Sequence, residues 1–458
     1  MLKLNKTRNV LTIGGRLLAD GLAVAAIDNK KYQVRFPKKI FAAWPTASKN
    51  FFLDNYVYAR TRTLAMIAGA DLRYFSNRPF LENFIHQGIK QDLRIVSELD
   101  KYNTRQLLSL FPAKITFKSD HVISRLPKKS VNRPDRVIMA LSFGKDSLLS
   151  YALAKEIGLQ CFPVMCNIME KYNYQEWLFK KKIFADFIKQ ENQPSDLFSD
   201  NVDDIFFSPA LSRNIEELHC ANSMLTYALE MMPFADYYRA RYIVFGNERN
   251  FDDYFINKDG YKTYPSYDQY SGYTSKLNKE LKIATHDNTQ IISLIEPLYN
   301  LAEMHILFNR YPDILKYLMS CYPEKPGDKW CYQCPMCAKA FLYSVAVGGD
   351  PFKIGMKKNL FNAASKDLYP LFAAKISRPY EKPVQVKEEQ MLSFLLAYRC
   401  GWKGPLIDLF KKQYLTKAKR AEKKMRARYF GIHNSQNLPQ SIKSPLVKIY
   451  QQELRDLV

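Results

Sequence analysis

"RVIMALSFGKDSLLSYALAKEIG", residues 136–158, is the stretch that decides the fold of this chain. Its apolar beginning predicts a buried strand. Its second half carries apolar side chains at helical spacing and ends at Gly158, which predicts an amphipathic helix with a glycine at its end. The polar turn 142–147 lies between them. A strand, a short turn and a helix in this order are typical of a parallel α/β sheet.

The same rhythm continues further along the chain. "LQCFPVMCN" and "RYIVFGN" predict strands, and "YQEWLFKKKIFADFIK" and "SMLTYALEMMPFADYYRA" predict helices. Apolar strands alternating with helices predict a parallel, doubly wound sheet over residues 136–350. Ligands bind beyond the carboxyl ends of such strands, so we expect the turn, Asn167, Gly246 and Asn247 to lie near a site.

The rest of the chain divides into regions that differ in composition and in their predicted helices and strands. With 458 residues the chain is too long for one compact core. Residues 1–125 mix short β-like runs with helices and predict an α+β domain of unknown role. Residues 126–135, within a stretch rich in Pro, Lys and Arg, predict a linker, and residues 351–458 predict a helical, basic region.

The turn itself has the chemistry of an anion site. Backbone N–H groups at a helix start attract phosphate. Ser142 and Ser147 add hydroxyls, Gly144 allows close approach, Lys145 adds positive charge, and Asp146 could hold Mg²⁺. The pattern GxxxxGK[ST] is absent, which argues against an ordinary kinase or GTPase loop. A polar cap on a surface helix explains the local pattern equally well.

A cysteine window predicts a metal site. Four of the eight cysteines follow the pattern C-x9-C-x2-C-x2-C, at Cys321, Cys331, Cys334 and Cys337. Such spacing lets four thiolates surround one ion, which favours a structural zinc. An iron–sulfur cluster is the alternative with the same four ligands, and free or redox-active thiols are the alternative without a metal. Clustered cysteines and an amino terminus without an apolar signal region favour a cytoplasmic location.

Charge suggests an anionic partner without naming it. The net charge is +23, and residues 411–430 carry nine Lys or Arg against one Glu. This basic stretch predicts a helix that contacts nucleic acid or is merely a solvated face. No apolar run is long enough to span a bilayer.

Some of these motifs resemble a known family. Ser142-Phe143-Gly144-Lys145-Asp146-Ser147 resembles the SGGxDS signature of the PP-loop ATP pyrophosphatases, with Phe143 in place of the first glycine. The cysteine window resembles the zinc loop of the 7-cyano-7-deazaguanine synthases, a PP-loop family of the queuosine pathway. "VFGNERNFDDY", "YPSYDQYSGYTSKLN" and "SLIEPLYNLAEMHIL" follow the same order, so that the similarity covers about residues 136–345.

The resemblance implies a function. PP-loop enzymes bind Mg²⁺-ATP, release AMP and pyrophosphate, and adenylate a carboxylate or carbonyl oxygen that ammonia or another nucleophile then attacks. It implies catalytic roles for Lys145 and Asp146, and zinc on the four cysteines. The residues implied in nucleotide binding are Ser142, Phe143, Gly144, Lys145, Asp146, Ser147, Asn167, Gly246 and Asn247.

Departures from the family leave alternatives open. Leu301 stands where the family has a Lys two residues before its Glu, here Glu303, and residues 255–263 resemble an insertion. The alternatives are a nucleic-acid modification enzyme (for base adenylation, thiolation or deazaguanine chemistry, in anti-phage defence), an adenylating glutamate epimerase of peptidoglycan precursors, and a non-catalytic ATP-binding subunit. We also expect a homo-oligomer or a complex with proteins of the same operon.

Five further polar residues are weaker candidates. Four are as consistent with a structural role as with a functional one: Glu248, Asp252, Asp268 and Glu296. The fifth, His305 on a predicted helix, fits a partly buried packing residue better than a catalytic base.

Overall fold

The structure is a computed structural model of the 458-residue chain. It describes residues 9–25, 31–127, 131–167, 173–208, 211, 213, 215, 217–376 and 378–458. Part of the predicted linker, residues 128–130, lies outside the described residues.

Ten of the strands found in the described residues form one sheet, and the other two form a small ribbon. The sheet strands are β1 (Val10–Leu18), β2 (Gly21–Ala25), β3 (Lys31–Arg35), β4 (Asp71–Asn77), β5 (Ile115–Ser119), β6 (Arg133–Ala140), β7 (Gln160–Asn167), β8 (Asp196–Asp200), β9 (Ala240–Val244) and β12 (Gln290–Ile292); β10 (Phe255–Ile256) and β11 (Lys262–Thr263) form the ribbon.

The five strands that residues 133–292 contribute to the sheet form a continuous parallel half, as the sequence predicts. Its strand order is β12-β9-β6-β7-β8, and every neighbouring pair runs parallel. The chain leaves β6 toward β7 and β8 on one side, and later returns to β9 and β12 on the other. The strand order therefore reverses between β6 and β9, which is where open α/β sheets bind ligands.

The amino-terminal strands extend this sheet. Val34 and Arg35 of β3 pair antiparallel with Asp200 and Ser199 of β8. Beyond β3, the strands β2 and β1 continue antiparallel, and β4 and β5 add two parallel strands at the far edge. The sheet therefore runs across the predicted boundary at residue 125.

Helices cover both faces of the sheet. They are α1 (Lys38–Ala43), α2 (Thr46–Thr61), α3 (Leu64–Ala68), α4 (Glu82–Leu99), α5 (Thr104–Leu110), α6 (Lys145–Glu156), α7 (Tyr174–Glu191), α8 (Ser223–Tyr237), α9 (Ser271–Ala284), α10 (Asn300–Arg310), α11 (Pro335–Ala346), α12 (Val384–Arg399), α13 (Pro405–Gln413), α14 (Leu415–Tyr429) and α15 (Gln440–Leu454).

The alternation along β6 shows how the two faces are filled. Val137 and Met139 are fully buried in a core shared with α6, α10, α11 and the carboxy-terminal helices. Ile138, between them, is buried in a second core shared with α2 and α8. A strand buried on both sides belongs to a doubly wound sheet, which confirms the predicted fold class at that level.

The carboxy-terminal region is helical, as predicted, and packs on the parallel half. Phe394 and Tyr429 lie in the same core as Phe341 of α11. The basic stretch 411–430 is divided at Tyr414, where α13 has ended and α14 begins. Within the described residues, no helix combines the length and the apolar character that crossing a membrane requires.

Candidate functional site

The predicted turn lies where the strand order reverses. It follows β6, and Gly246 and Asn247 follow the adjacent β9. The two loops touch, because a Cβ added to Gly246 would lie 2.6 Å from Cβ of Asp146. Only a glycine permits so close an approach of the β9 loop to the start of α6.

The turn leaves the start of α6 open. Gly144 is the residue before the first helical position and has no side chain to accept a hydrogen bond there. The first N–H groups of a helix lack partners within the helix, so those of Lys145, Asp146 and Ser147 can meet an anion. The Ser142 and Ser147 hydroxyl oxygens lie 3.3 Å apart at the same place.

Phe143 shows how the turn tolerates a non-glycine residue. Its φ is +63°, a left-handed conformation that favours glycine. The side chain is fully buried, with its ring centroid 5.7 Å from that of Phe187 in α7. The ring therefore points into the core, and only the backbone of Phe143 remains for a ligand.

Three carboxylates surround the ammonium of Lys145. Its Nζ donates to Asp146, to Glu303, and to Oε2 of Glu248 at 2.6 Å. The carboxylate oxygens of the three acids lie within 4.8 Å of one another, close enough to hold one metal ion. We call Asp146, Glu248 and Glu303 the carboxylate cluster. Oε1 of Glu303 is buried with no hydrogen-bond partner among the described residues, so the cluster has spare ligand capacity.

Burial and the neighbouring charges shift the pKa values of the cluster residues in different directions. Burial raises the pKa of Glu303 well above its usual value, and the neighbouring Glu248 and Asp146 raise it further. Burial alone would raise the pKa of Asp146 too, but Lys145 and a hydrogen bond from Glu303 hold it below its usual value. Burial would lower the pKa of Lys145, yet the three carboxylates raise it well above normal. The ammonium of Lys145 opposes the upward shift at Glu303, and the pKa of Glu303 still lies above its usual value, whereas that of Asp146 lies below.

Two adjoining cavities open at this place. Cavity A, about 310 Å³, lies over the ends of the parallel strands and is lined by apolar side chains together with Ser142, Asp146, Ser147, Gly246 and Asn247. Cavity B, about 520 Å³, contains Lys145, Asp146, Glu248 and Lys339. The two share a wall formed by Asp146, Met224, Tyr227 and Gln269. Asp146 therefore faces both.

The lining of cavity B also includes a buried acid and several aromatic rings. Asp268 is 5% exposed and accepts hydrogen bonds from the amide of Met224 and the hydroxyl of Ser266. Aromatic rings complete the lining, from Tyr227, Phe251, Tyr322, Tyr343 and Tyr380.

The four predicted cysteines come together as one cluster. Their sulfur atoms lie within 4.8 Å of one another, with 4.0 Å between Cys321 and Cys334 and 3.8 Å between Cys331 and Cys337. A tetrahedral ion with metal–sulfur bonds of about 2.3 Å requires sulfur separations of about 3.8 Å. The cluster could therefore hold a metal such as zinc.

Backbone amides donate hydrogen bonds to sulfur atoms in this cysteine cluster. The amide of Cys331 donates to Sγ of Cys321 at 3.1 Å, and the amide of Cys337 donates to Sγ of Cys334 at 3.4 Å. Hydrogen bonds from Cys321 and Cys337 hold the pKa of the Cys334 thiol well below its usual value. Cys334 also precedes the first residue of α11, so the cluster anchors that helix.

The carboxy-terminal region supports the carboxylate cluster through Glu389 of α12. This fully buried carboxylate accepts hydrogen bonds from Asn250, from the Asn300 side chain, from the amide of Leu301 and from Tyr343. The Glu389 side chain thus satisfies an N–H group at the start of α10, while burial raises the pKa of this carboxyl. Glu303 lies one turn further along α10, so Glu389 helps to position it.

Two other predicted residues, Asn167 and Asp252, do not line either cavity. Asn167 ends β7 beside Ser199 of β8, and the β7 residues that line cavity A are Val164, Met165 and Cys166. Asp252 accepts from Ser271 in a loop contact.

Other candidates have structural contacts. Glu296 accepts from the amide of Gln436 and the side chain of Asn437, which ties the segment after β12 to the carboxy-terminal region. His305 packs at the edge of Phe430, and burial lowers its pKa.

The sequence interpretation missed Glu303 and Lys339 as site residues. Glu303 appears there only as a point of comparison with a family, although an acid inside the apolar run "NLAEMHIL" is a signal of burial with a partner. Lys339 follows the last cysteine by two residues, and no local pattern distinguishes it from a solvated lysine.

Comparisons of the chain with protein-family models, with curated proteins and with solved structures found no match. The resemblance to PP-loop enzymes therefore stays a prediction from the sequence motifs.

Proposed function

We propose that the protein is an ATP-dependent adenylating enzyme of the PP-loop type, which activates a carboxylate and releases AMP and pyrophosphate. The observation that carries the proposal is the meeting of the open α6 start with the carboxylate cluster at the point of strand reversal. An anion site next to a cation site is what a metal-bound triphosphate requires.

The two cavities suggest how the substrates are divided. The apolar walls of cavity A, from Val164, Met165, Phe198 and Phe245, suit a nucleoside, and Ser142 and Ser147 lie on its polar side. Cavity B would take the acid. Asp146 in the shared wall would then lie near the α-phosphate.

The proposed reaction is a displacement at phosphorus. A carboxylate oxygen of the acid attacks the α-phosphorus, the new O–P bond forms, and the bond to the β-phosphate oxygen breaks with pyrophosphate leaving. The amides at the α6 start would hold the negative charge of the departing group, and the ammonium of Lys145 would join them when Mg²⁺ replaces it between its three carboxylates. A nucleophile such as ammonia then attacks the carbonyl carbon and AMP leaves.

Metal ions fit two positions. Asp146, Glu248 and Glu303 would hold Mg²⁺, which when bound neutralises phosphate charge. Zinc would occupy the cysteine cluster in a structural role, because four thiolates leave no open position on the ion. The short sulfur separations favour one ion over an iron–sulfur cluster, whose several metal atoms need a wider opening.

Product analysis tests this proposal. The protein is incubated with Mg²⁺, α-labelled ATP, ammonium and a panel of acids that includes 7-carboxy-7-deazaguanine. We expect acid-dependent AMP and pyrophosphate from the wild type and none from Asp146→Asn. Asp252→Asn is the matched control, since its loop contact lies outside both cavities. ADP and phosphate as products, or a fully active Asp146→Asn variant, would contradict the proposal.

A second candidate is a nucleic-acid modification enzyme. The basic face of α14 favours it, because its lysine and arginine side chains are exposed on the side opposite the buried Ala418 and Met425: Lys417, Lys419, Arg420, Lys423 and Lys424. Running the same assay with RNA and DNA as acceptors separates the two candidates. AMP release that requires nucleic acid, and that falls steeply with added salt, would favour the second.

A further inference from the structure

We propose that Lys339 forms an anion-binding position in cavity B and holds the carboxylate of the acceptor acid. This inference rests on the proposed adenylation, and it adds the residue that would select an acid over its neutral analogues. Lys339 lies in α11, and its ammonium faces cavity B beside the carboxylate cluster.

The charges around cavity B point to this lysine. Among the described residues that line cavity B, the charged side chains are four acids and two lysines: Asp146, Glu217, Glu248, Asp268, Lys145 and Lys339. Only the two lysines can attract an incoming anion. The ammonium of Lys145 is bound by three carboxylates. Within the described part of the chain, the carboxylate oxygen nearest to the Lys339 ammonium belongs to Glu248, at 3.9 Å, which is beyond hydrogen-bonding distance. Its donors are therefore the ones available to an incoming anion.

Exposure and position agree with such a role. The Lys339 side chain is 28% exposed, whereas that of Lys145 is 12% exposed. Glu248 contacts both ammonium groups, so Lys339 lies next to the carboxylate cluster and hence near Asp146 in the wall shared with cavity A. An acid bound by Lys339 would have its carboxylate beside that wall, where the α-phosphate is expected.

The cysteine cluster explains why a flexible side chain can be placed reliably. Cys334 precedes α11 and Cys337 lies in its first turn, so both ends of this C-x2-C pair fix the helix. Lys339 follows two residues later. Its backbone is thus held from the metal-binding side, and its Nζ lies over the ring of buried Tyr343, 5.9 Å from the ring centroid.

Direct binding tests the inference without turnover. The probes are indole-3-carboxylate and its neutral partner indole-3-carboxamide, since cavity B offers aromatic walls at Phe251, Tyr322 and Tyr343. Calorimetric titration compares the wild type with Lys339→Met, Lys339→Arg and the control Lys403→Met, an exposed lysine that lines neither cavity.

We expect Lys339→Met to weaken binding of the carboxylate about tenfold to a hundredfold. Carboxamide binding should stay within about twofold, Lys339→Arg should retain most of the carboxylate affinity, and Lys403→Met should match the wild type. Equal losses for both probes would mean a merely structural lysine and would overturn the inference. Unchanged carboxylate binding in Lys339→Met, or no binding of the carboxylate to the wild type, would overturn it as well.

The outcome is separable from that of the adenylation assay. An enzyme that releases AMP but binds the carboxylate independently of Lys339 would refute this inference alone. A protein with lysine-dependent binding that releases ADP would refute the adenylation and leave the anion position standing.

Discussion

The cysteine cluster and the carboxylate cluster are both suited to one metal ion, yet they are built in opposite ways. The four cysteines come from residues 321–337 and close around one point through local turns. The carboxylate cluster brings Glu248 and Glu303 to Lys145 from 103 and 158 residues away. The first holds a short segment together, and the second exists only once the parallel sheet has formed.

This difference explains what the sequence could predict. The cysteine spacing encodes the cluster directly, as the strand–turn–helix pattern encodes β6 and α6. Glu248 and Asp146 could be placed at the same sheet edge by strand counting, because β9 and β6 are parallel neighbours. Glu303 follows no strand end directly, so only the packing of α10 against α6 and α11 brings it to the site.

The pairing of the amino-terminal strands with the parallel strands could not be predicted from the sequence, because it too joins residues far apart in the chain. "YQVRF" predicts a strand correctly at β3, but its partner β8 lies about 165 residues further on, as in the pair Val34 and Asp200. A local pattern shows that a strand forms and not which strand it joins. The role of Glu389 in supporting α10 is equally non-local.

The largest effect is expected at the cysteine cluster. Cys334→Ser removes one of four ligands and should abolish tight metal binding, because a structural ion contributes on the order of 10 kcal/mol to folding. We expect metal content near zero by elemental analysis and a Tm lower by about 10 °C. Cys400→Ser, at an exposed cysteine outside the cluster, should match the wild type in both measurements. Full metal content in Cys334→Ser would contradict the prediction that the cysteine cluster holds a metal ion.

An intermediate effect is expected at the carboxylate cluster. Glu303→Gln keeps the shape of a fully buried side chain but removes a charged ligand. The fold should remain, and the affinity for Mn²⁺, used as a paramagnetic substitute for Mg²⁺, should fall about tenfold to a hundredfold. Electron paramagnetic resonance of free Mn²⁺ measures it. Glu296→Gln is the control, since that carboxylate is committed to Gln436 and Asn437.

The pH dependence of the same measurement sharpens the point. Because burial raises the pKa of Glu303, this acid keeps its proton at pH values where an exposed glutamate has lost it. An ion must displace that proton, so wild-type affinity should rise with pH through the raised pKa. In Glu303→Gln this part of the pH dependence should vanish. A variant with the wild-type profile would show that Glu303 is not the group that titrates.

The smallest effect is expected from a glycine that merely makes room. In Gly246→Ala the new Cβ would lie 2.6 Å from Cβ of Asp146, so the loop after β9 must retreat. We expect Mn²⁺ affinity to fall severalfold and Tm to drop by a few degrees. Gly14→Ala in β1, whose added Cβ would meet neighbours no closer than 3.7 Å, is the matched control. Equal behaviour of the two variants would mean that the loops adjust without disturbing the carboxylate cluster.

The pairing of β3 with β8 has a practical consequence for anyone who dissects this chain. A fragment that starts at residue 126 would keep the five parallel strands but leave β8 with a bare row of N–H and C=O groups on one side. Exposed strand edges recruit other chains and drive aggregation. The amino-terminal strands thus cover the edge of β8 that would otherwise be open to other chains. Poor solubility of such a fragment would reflect this uncovered edge and would say nothing about catalysis.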